Sequence, residues 1–226
     1  MRYLHLKTIF VAMLLFAIGE ASAQWAVGLR GGWASTTISR TNANRIDETY
    51  SAQSGMELGV QGRYTINPWL AVRANVSYMQ RNHRMERNLN YLDQVYTIHT
   101  NNYLMLPVEA DFSFGGKRLR GHLLAGGYGG YWLSEKRKGT TYWMTDYNIY
   151  FNDFDEQREF DESDRRLCAG LTAGMAISYA FNQHWELALD ALYYYDLTSH
   201  HRGCKHLADP RYLNTISLNI NFLYNF

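Results

Sequence analysis

The sequence of 226 residues has little proline, little cysteine and almost no net charge. It contains three prolines and two cysteines, and its formal net charge is +1. Without a basic excess there is no electrostatic footprint for nucleic acid, so we expect no nucleic-acid partner. Two cysteines allow one bridge at most, which excludes a disulfide framework. Scarce proline beside 18 tyrosines and 18 glycines indicates strands rather than helices.

Long apolar runs are also missing beyond the first residues. No later segment approaches the roughly 18 apolar residues that a transmembrane helix needs. At the start, Arg2 and Lys7 precede an apolar run over residues 9–18, and small residues end at Ala23. This pattern predicts a cleavable signal peptide over residues 1–23. The remainder, residues 24–226, has the length of one exported domain.

The sequence is rich in segments where apolar and polar residues alternate. The segment NTISLNINFLYNF places Ile216, Leu218 and Ile220 on one face and asparagines on the other. Each alternating segment has about the 9 to 11 residues that a tilted strand needs to cross a bilayer. The pattern predicts eight strands, and no apolar face carries a charge. The other seven segments are WAVGLRGGW, MELGVQGRYTI, LAVRANVSY, LMLPVEADFSF, LRGHLLAGGYGGYWL, LCAGLTAGMAISYAF and LALDALYYY.

The connections between these segments alternate strictly between short and long. Tight turns are predicted at residues 67–68, 115–117 and 182–184. This arrangement is typical of an outer-membrane barrel, which has short periplasmic turns and long extracellular loops. We therefore predict an all-β, eight-stranded antiparallel up-and-down transmembrane β-barrel with four long extracellular loops and both termini in the periplasm. The long connections run from about Ser35 to Gly55, Gln80 to Asn102, Ser134 to Arg166 and Asp196 to Asn214.

A soluble sandwich or lipocalin-like barrel would alternate in the same way, so the aromatic residues decide between the two. They form two groups that bound an aliphatic band, as the two interfaces of a membrane require. We expect these residues to face the lipid of a Gram-negative outer membrane. Phe226 closes the last strand, and the barrel-assembly machinery recognises such an aromatic during insertion. The predicted girdle comprises Trp25, Tyr64, Trp185, Tyr224 and Phe226 at the turn end, with Trp33 and Tyr78 at the loop end.

One segment carries a family resemblance. The stretch YLMLPVEADFSFGGKRLRGHLLAGGYGGYWL resembles the PorT-type outer-membrane β-barrel family, in which a Tyr-Leu-x-x-Pro strand leads through a glycine turn into a glycine-rich strand. The resemblance implies an integral outer-membrane barrel. It also implies a structural or accessory role in an outer-membrane assembly, with protein secretion as the role of the founding member and other envelope proteins as partners.

The polar faces of the predicted strands carry charges of both signs. An eight-stranded barrel leaves an interior just wide enough to be filled by side chains. Buried charges persist when they are paired, so we predict a plugged, salt-bridged core, with a conducting pore as the alternative. Pro107, in mid-strand, predicts a bulge or local irregularity. The predicted interior charges are Arg30, Glu57, Arg63, Arg73, Glu109, Asp111, Arg120, His122 and Asp190.

The segment LTSHHRGCKH raises the question of catalysis. Ser199 and three histidines follow Asp196, but they have no fixed spacing and no evident oxyanion donors. Zinc binding with Cys204 fits no closed site. We therefore predict a protein without catalytic activity, cofactor or metal. The alternatives are a surface adhesion or ligand-binding barrel that acts through its loops, and a lipid-modifying barrel enzyme. The three histidines are His200, His201 and His206.

Two further features lie toward the loop end. Cys168 opens a strand at that end and Cys204 lies in the fourth loop, so a disulfide between them is a hypothesis. The segment TTYWMTDYNIYF is too apolar for a spacer. We expect it to extend the strands as a hairpin and to provide a protein contact surface.

Overall fold

The computed structural model describes residues 24–40, 48–87, 95–146, 148–162, 164–199 and 211–226. The predicted signal peptide, residues 1–23, lies outside these ranges. No helix long and apolar enough to cross a membrane occurs in the described part. The strands are β1 (Trp25–Arg40), β2 (Glu48–Asn67), β3 (Leu70–Gln80), β4 (His83–Arg87), β5 (Tyr96–Gly115), β6 (Leu119–Met144), β7 (Ile149–Arg158), β8 (Leu167–Ala180), β9 (Trp185–Asp196) and β10 (Arg211–Asn225).

These strands form one closed antiparallel ring with eight positions. β3 and β4 share one position, because each pairs with β2 on one side and β5 on the other. β7 pairs with the far half of β6 and stands beyond the ring. β10 pairs with β1 and closes the ring. The eight-stranded antiparallel barrel is therefore confirmed, and ring closure satisfies the strand edges, as hydrocarbon requires.

The three tight turns lie at one end of the barrel, as the spacing of the segments predicts. They connect β2 to β3, β5 to β6 and β8 to β9. Gly115 has a φ of 119° at the start of the second turn. A side chain is strained at that angle, so the turn requires glycine at this position.

The described parts of the first three long loops, by contrast, are largely strand. β1 continues to Arg40, β2 begins at Glu48 and β5 begins at Tyr96, all inside expected loops. β6 and β7 form a hairpin over most of the third expected loop. The hairpin expected in the segment TTYWMTDYNIYF is therefore confirmed. The other extensions were not predicted, because they leave the apolar band. Neither face of these extensions needs apolar residues. The hydrophobic alternation that identifies the parts of the strands inside the apolar band therefore disappears in the extensions.

The prediction of a bulge or local irregularity at Pro107 is confirmed as an irregularity without a bulge. Pro107 stays in register with Tyr128 of β6, and the shift in that ladder lies between Asn102 and Tyr103. On the other side of Pro107, the ladder to β3 has no pair between Ala74↔Val108 and Ser77↔Met105. Proline has no N–H to donate, so the ladder is interrupted without an extra residue.

The two faces of the barrel have opposite chemistry. Its outer surface exposes aliphatic side chains all around the ring, such as Leu29, Leu189 and Ile220. Its interior buries arginine, carboxylate and asparagine side chains, among them Arg30 and Asp190. A soluble barrel would have the reverse arrangement, whereas lipid outside and a filled polar lumen inside require this one.

Candidate functional site

The predicted interior charges lie inside the barrel, with one at its margin. Eight of the nine are buried. Arg120 is half-buried at the turn end, where its Nη2 donates to the backbone oxygen of Pro68 over 3.3 Å. At the same end Arg63 makes two hydrogen bonds to Glu186, one of them 2.8 Å long. The turn-end part of the lumen is thus held by a bidentate ion pair.

Asp190 is the hub of the central network. Arg30 Nη1 donates to Asp190 Oδ2 over 2.8 Å, and Arg73 Nη1 donates to the same oxygen over 3.4 Å. The amides of Asn219 and Asn221 also donate to this carboxylate, over 3.1 and 2.7 Å. One carboxylate on β9 thus holds two guanidinium groups that come from β1 and β3.

Each of these arginines also has a second acid. Arg30 Nε donates to Glu57 over 2.9 Å, and Arg73 Nη2 donates to Asp111 over 2.9 Å. His122 Nδ1 completes the chain with a contact of 2.7 Å to Asp111. The network therefore crosses the lumen between opposite walls and couples strands that are distant in sequence.

Arg81 is a buried interior charge that the sequence did not reveal. It is fully buried, and its Nη2 donates to Asp196 Oδ1 over 2.8 Å and also to the backbone oxygen of Leu213. Tyr128 donates to the same oxygen of Asp196. Arg81 follows the last residue of β3 and falls inside an expected loop, so the alternation gave no signal for it.

Large side chains fill the lumen near the loop end. Arg81 lies over the Tyr103 ring, 5.5 Å from its centroid, and Tyr103 stacks on Trp132 at 6.0 Å. Around them lies a cluster of buried residues that includes Met79, Met105, Leu192 and Leu213. These residues occupy the cross-section above the charged network, an arrangement that favours a plugged core over a pore.

A cleft opens above this layer at the mouth of the barrel. The rings of His83 and His99 stack there with centroids 4.4 Å apart. Tyr50, Arg137 and Phe154 line the same cleft, which has a volume of about 260 Å³. The cleft combines aromatic faces with charged groups.

Glu135 anchors the floor beside this cleft. His99 Nδ1 lies 2.8 Å from it, and Arg137 and Arg158 donate to it over 2.7 and 3.2 Å. Burial acts to raise the pKa of Glu135, but the hydrogen bonds from His99 and Arg137 outweigh it and lower the pKa to about 2. The carboxylate is therefore held ionised by its neighbours.

We expect Glu135 to titrate well below its ordinary pKa of 4.5. Its lowered pKa stabilises the folded mouth above pH 4.5, and this contribution is lost as the pH falls toward 2. The ¹³C shift of its carboxyl carbon, assigned with Glu135→Gln, should stay constant from pH 7 to about pH 4. A titration midpoint of Glu135 at its ordinary pKa would contradict the hydrogen bonds from His99 and Arg137.

The hairpin of β6 and β7 rises beyond the mouth. Trp143 and Tyr150 stack at its tip with centroids 4.4 Å apart, and they are 54% and 43% exposed. Met144 and Phe151 are exposed on the other face. The tip lies about eleven residues past Leu133, roughly 35 Å along the strand, so these apolar side chains lie well beyond the aliphatic band.

The predicted aromatic girdle lies on the outer surface. The Trp25 and Tyr64 rings pack in a tilted arrangement with centroids 4.8 Å apart, and the Trp185 and Tyr224 rings meet edge to face with centroids 5.0 Å apart. These four residues lie at the turn end with Phe226. Trp33 and Tyr78 lie outward on β1 and β3 toward the loop end.

The residues considered for catalysis and cross-linking are only partly described. Asp196 is buried in the lumen, where it accepts hydrogen bonds from Arg81 and Tyr128. His200, His201, His206 and Cys204 lie outside the described residues. Cys168 is buried on the inner face of β8, and its pairing with Cys204 stays a prediction. In the described ranges, no three histidine, cysteine or acidic side chains are arranged to hold a metal.

Comparison with known families decides the class. The profile of the outer membrane protein beta-barrel domain matches residues 19–202. The chain belongs to this family. The apolar outer surface and the closed ring are the structural features expected of this family, so the protein is an outer-membrane β-barrel. Among curated proteins, no sequence matches.

Two of the solved structures that are similar to this outer-membrane barrel, OprG and OmpT, agree on the fold. The outer membrane protein OprG of Pseudomonas aeruginosa matches with a TM-score of 0.52 and 14% identity, over 90% of this chain and 96% of that one. The outer membrane protease OmpT of Escherichia coli matches with a TM-score of 0.52 and 8% identity, over 92% and 99%. Ail, the attachment invasion locus protein of Yersinia pestis, matches with a TM-score of 0.42 and 13% identity, over 88% and 99%.

Proposed function

We propose that this barrel is a non-catalytic accessory component of an outer-membrane assembly and that it binds other envelope proteins through the hairpin of β6 and β7. The observation that carries the proposal is the exposed aromatic tip, Trp143 and Tyr150 with Met144 and Phe151. Large apolar side chains that are exposed outside the lipid-facing band are typical of a protein contact surface. The packed lumen supports a role as an anchor rather than as a channel.

The proposal includes an orientation and a family relation. We take the turn end as periplasmic and the hairpin as extracellular in the outer membrane of a Gram-negative bacterium. The signal peptide predicted over residues 1–23 would direct export of the chain. The barrel-assembly machinery would then insert the chain into outer-membrane lipid. The Tyr-Leu-x-x-Pro strand with Pro107 supports a relation to the PorT-type barrels and, through it, a role in protein secretion.

The test is a double substitution at the tip, Trp143→Ser with Tyr150→Ser. We expect wild-type barrel from mildly solubilised outer membranes to recover envelope proteins in stoichiometric amounts, and the variant to recover them at least tenfold less, because a buried aromatic anchor contributes about 2 kcal/mol or more to such contacts. Mass spectrometry of the recovered proteins measures the effect.

Lys138→Ser, an exposed change on the same hairpin, is the control and should leave recovery unchanged. Recovery of the wild-type barrel alone would contradict the accessory role. If the tip variant recovered as much envelope protein as the wild-type barrel, the tip would not be the contact surface.

A second candidate function is ligand binding or adhesion, and the cleft at the mouth favours it. Stacked His83 and His99 with Arg137 and Tyr50 could hold a small polar ligand. The lipid-modifying enzyme has weaker support, because Asp196, the acid nearest to Ser199 in sequence, is paired with Arg81 inside the lumen. Lipid analysis of a Ser199→Ala strain distinguishes the enzyme from the other two functions.

A further inference from the structure

Strand β7 has an open edge. It pairs with β6 along all ten residues, from Glu135↔Arg158 to Met144↔Ile149, without a register shift. On its other side, no residue of β7 takes part in a backbone hydrogen bond with any described residue. The strands of the ring itself, by contrast, are each paired on both sides over the barrel wall. The hairpin therefore presents a straight row of unpaired N–H and C=O groups.

The hairpin register identifies the groups in that row. Thr145 N donates to Asn148 O over 2.9 Å next to the turn. Residue pairs in an antiparallel ladder alternate between bonded and non-bonded, and a residue in a non-bonded pair turns its N–H and C=O away from the partner strand. Counting from that pair, the even-numbered residues from 150 to 158 bond to β6. The residues that face the open edge are Ile149, Phe151, Asp153, Asp155 and Gln157.

The devices that usually block an exposed edge are mostly missing from β7. Its sequence contains no proline, and its pairing contains no bulge. What it has is negative charge, because β7 contains three acids, Asp153, Asp155 and Glu156, and one base, Arg158. Antiparallel pairing with a second copy would place acids such as Asp153 and Asp155 against one another, which is destabilising. A basic strand has the opposite effect at the same positions.

We propose that β7 accepts an extended, basic segment of a partner protein as an added strand. The added segment alternates lysine or arginine with apolar residues, so that its cations face Asp153 and Asp155 and its apolar side chains lie beside Tyr150 and Phe154. Main-chain hydrogen bonds hold the segment and the acidic side chains select it. This inference rests on the proposed function, because it specifies how the hairpin holds its partner.

The first experiment uses the full chain in detergent micelles and a ten-residue peptide that alternates lysine with valine. Binding should slow hydrogen exchange at the amides of Phe151, Asp153 and Asp155 at least tenfold. Asn152 and Phe154, already bonded to β6, should change little. A peptide with glutamate in place of lysine should not bind. Protection of the even-numbered amides alone, or equal binding of both peptides, would overturn the proposal.

A matched pair of variants tests the main-chain contact. Phe151→Ala and Phe151→Pro both remove the ring, but only proline removes an N–H from the open edge. Gel mobility before and after boiling checks that both barrels are folded. We expect Phe151→Pro to bind the lysine peptide at least tenfold more weakly than Phe151→Ala. Equal binding by the two variants would overturn strand addition.

The two proposals can fail separately. If envelope proteins are lost from the tip variant but retained by Phe151→Pro, the contact function stands and strand addition falls. If the lysine peptide binds as described but wild-type barrel recovers no envelope protein, the edge is competent for strand addition and the accessory function falls.

Discussion

Replacement of Asp190 by alanine is expected to destabilise the barrel by about 3–5 kcal/mol, because it leaves buried positive charge uncompensated. Asp190 Oδ2 accepts from both Arg30 and Arg73, and Asn219 and Asn221 donate to the same carboxylate. The lumen at this level is closed to solvent, so neither guanidinium can exchange the lost contact for water. The remaining acids, Glu57 and Asp111, hold one arginine each.

Urea unfolding in lipid vesicles measures this effect, since a folded barrel migrates faster than its boiled form on a gel. Asp190→Asn is the matched control. It keeps the size and an acceptor oxygen but loses the charge, so we expect an intermediate loss. Wild-type stability of Asp190→Ala would show that Arg30 and Arg73 do not depend on this carboxylate.

Replacement of Leu189 by arginine is expected to cost about 2–4 kcal/mol, because its side chain projects into hydrocarbon near the middle of the barrel wall. Leu189 is 50% exposed and pairs with Ile177 of β8 and Ile220 of β10, both also outward and apolar. In water, an exposed leucine could become arginine with a change within about 0.5 kcal/mol. The same side chain therefore reports which solvent surrounds the ring.

The control is the same substitution on the raised hairpin. Met144→Arg, at a residue as exposed as Leu189 but beyond the apolar band, should change the free energy of unfolding by less than about 0.5 kcal/mol. Unfolding of both variants in vesicles provides the comparison. A similar loss in the free energy of unfolding for both variants would show that the lipid-facing apolar band does not end below the raised hairpin.

The sequence could predict the barrel because lipid imposes a strict rule on one face of each strand. Leu189, Ile177 and Ile220 must be apolar, and alternation with their inward neighbours reveals both the strand and its orientation. Arg30 and Asp190 are found on the inward face by the same count. The alternation cannot show which inward side chains form ion pairs, because partners such as Arg30 and Asp190 are 160 residues apart in the sequence.

Two parts of the structure left no signal in the alternation. Above the apolar band both faces of a strand meet water or protein, so the extensions through Arg40 and Tyr96 read as loops and Arg81 was lost with them. Inward aromatics such as Tyr103 and Trp132 were also missed. An aromatic side chain suits a lipid interface and a packed lumen equally well, so its type alone does not reveal its direction.

Closure of the ring by β1 and β10 has a consequence for how the barrel forms. The two strands that complete it are the first and the last of the ten, so the final ladder joins positions nearly 200 residues apart, from Ala26↔Asn225 onward. Contacts of such long range make folding slow, because the entropy of closing the loop is lost before the ladder forms. Until β10 is in place, every intermediate has two unpaired edges in contact with lipid. Removal of β10 would therefore leave an open, aggregation-prone sheet instead of a smaller barrel.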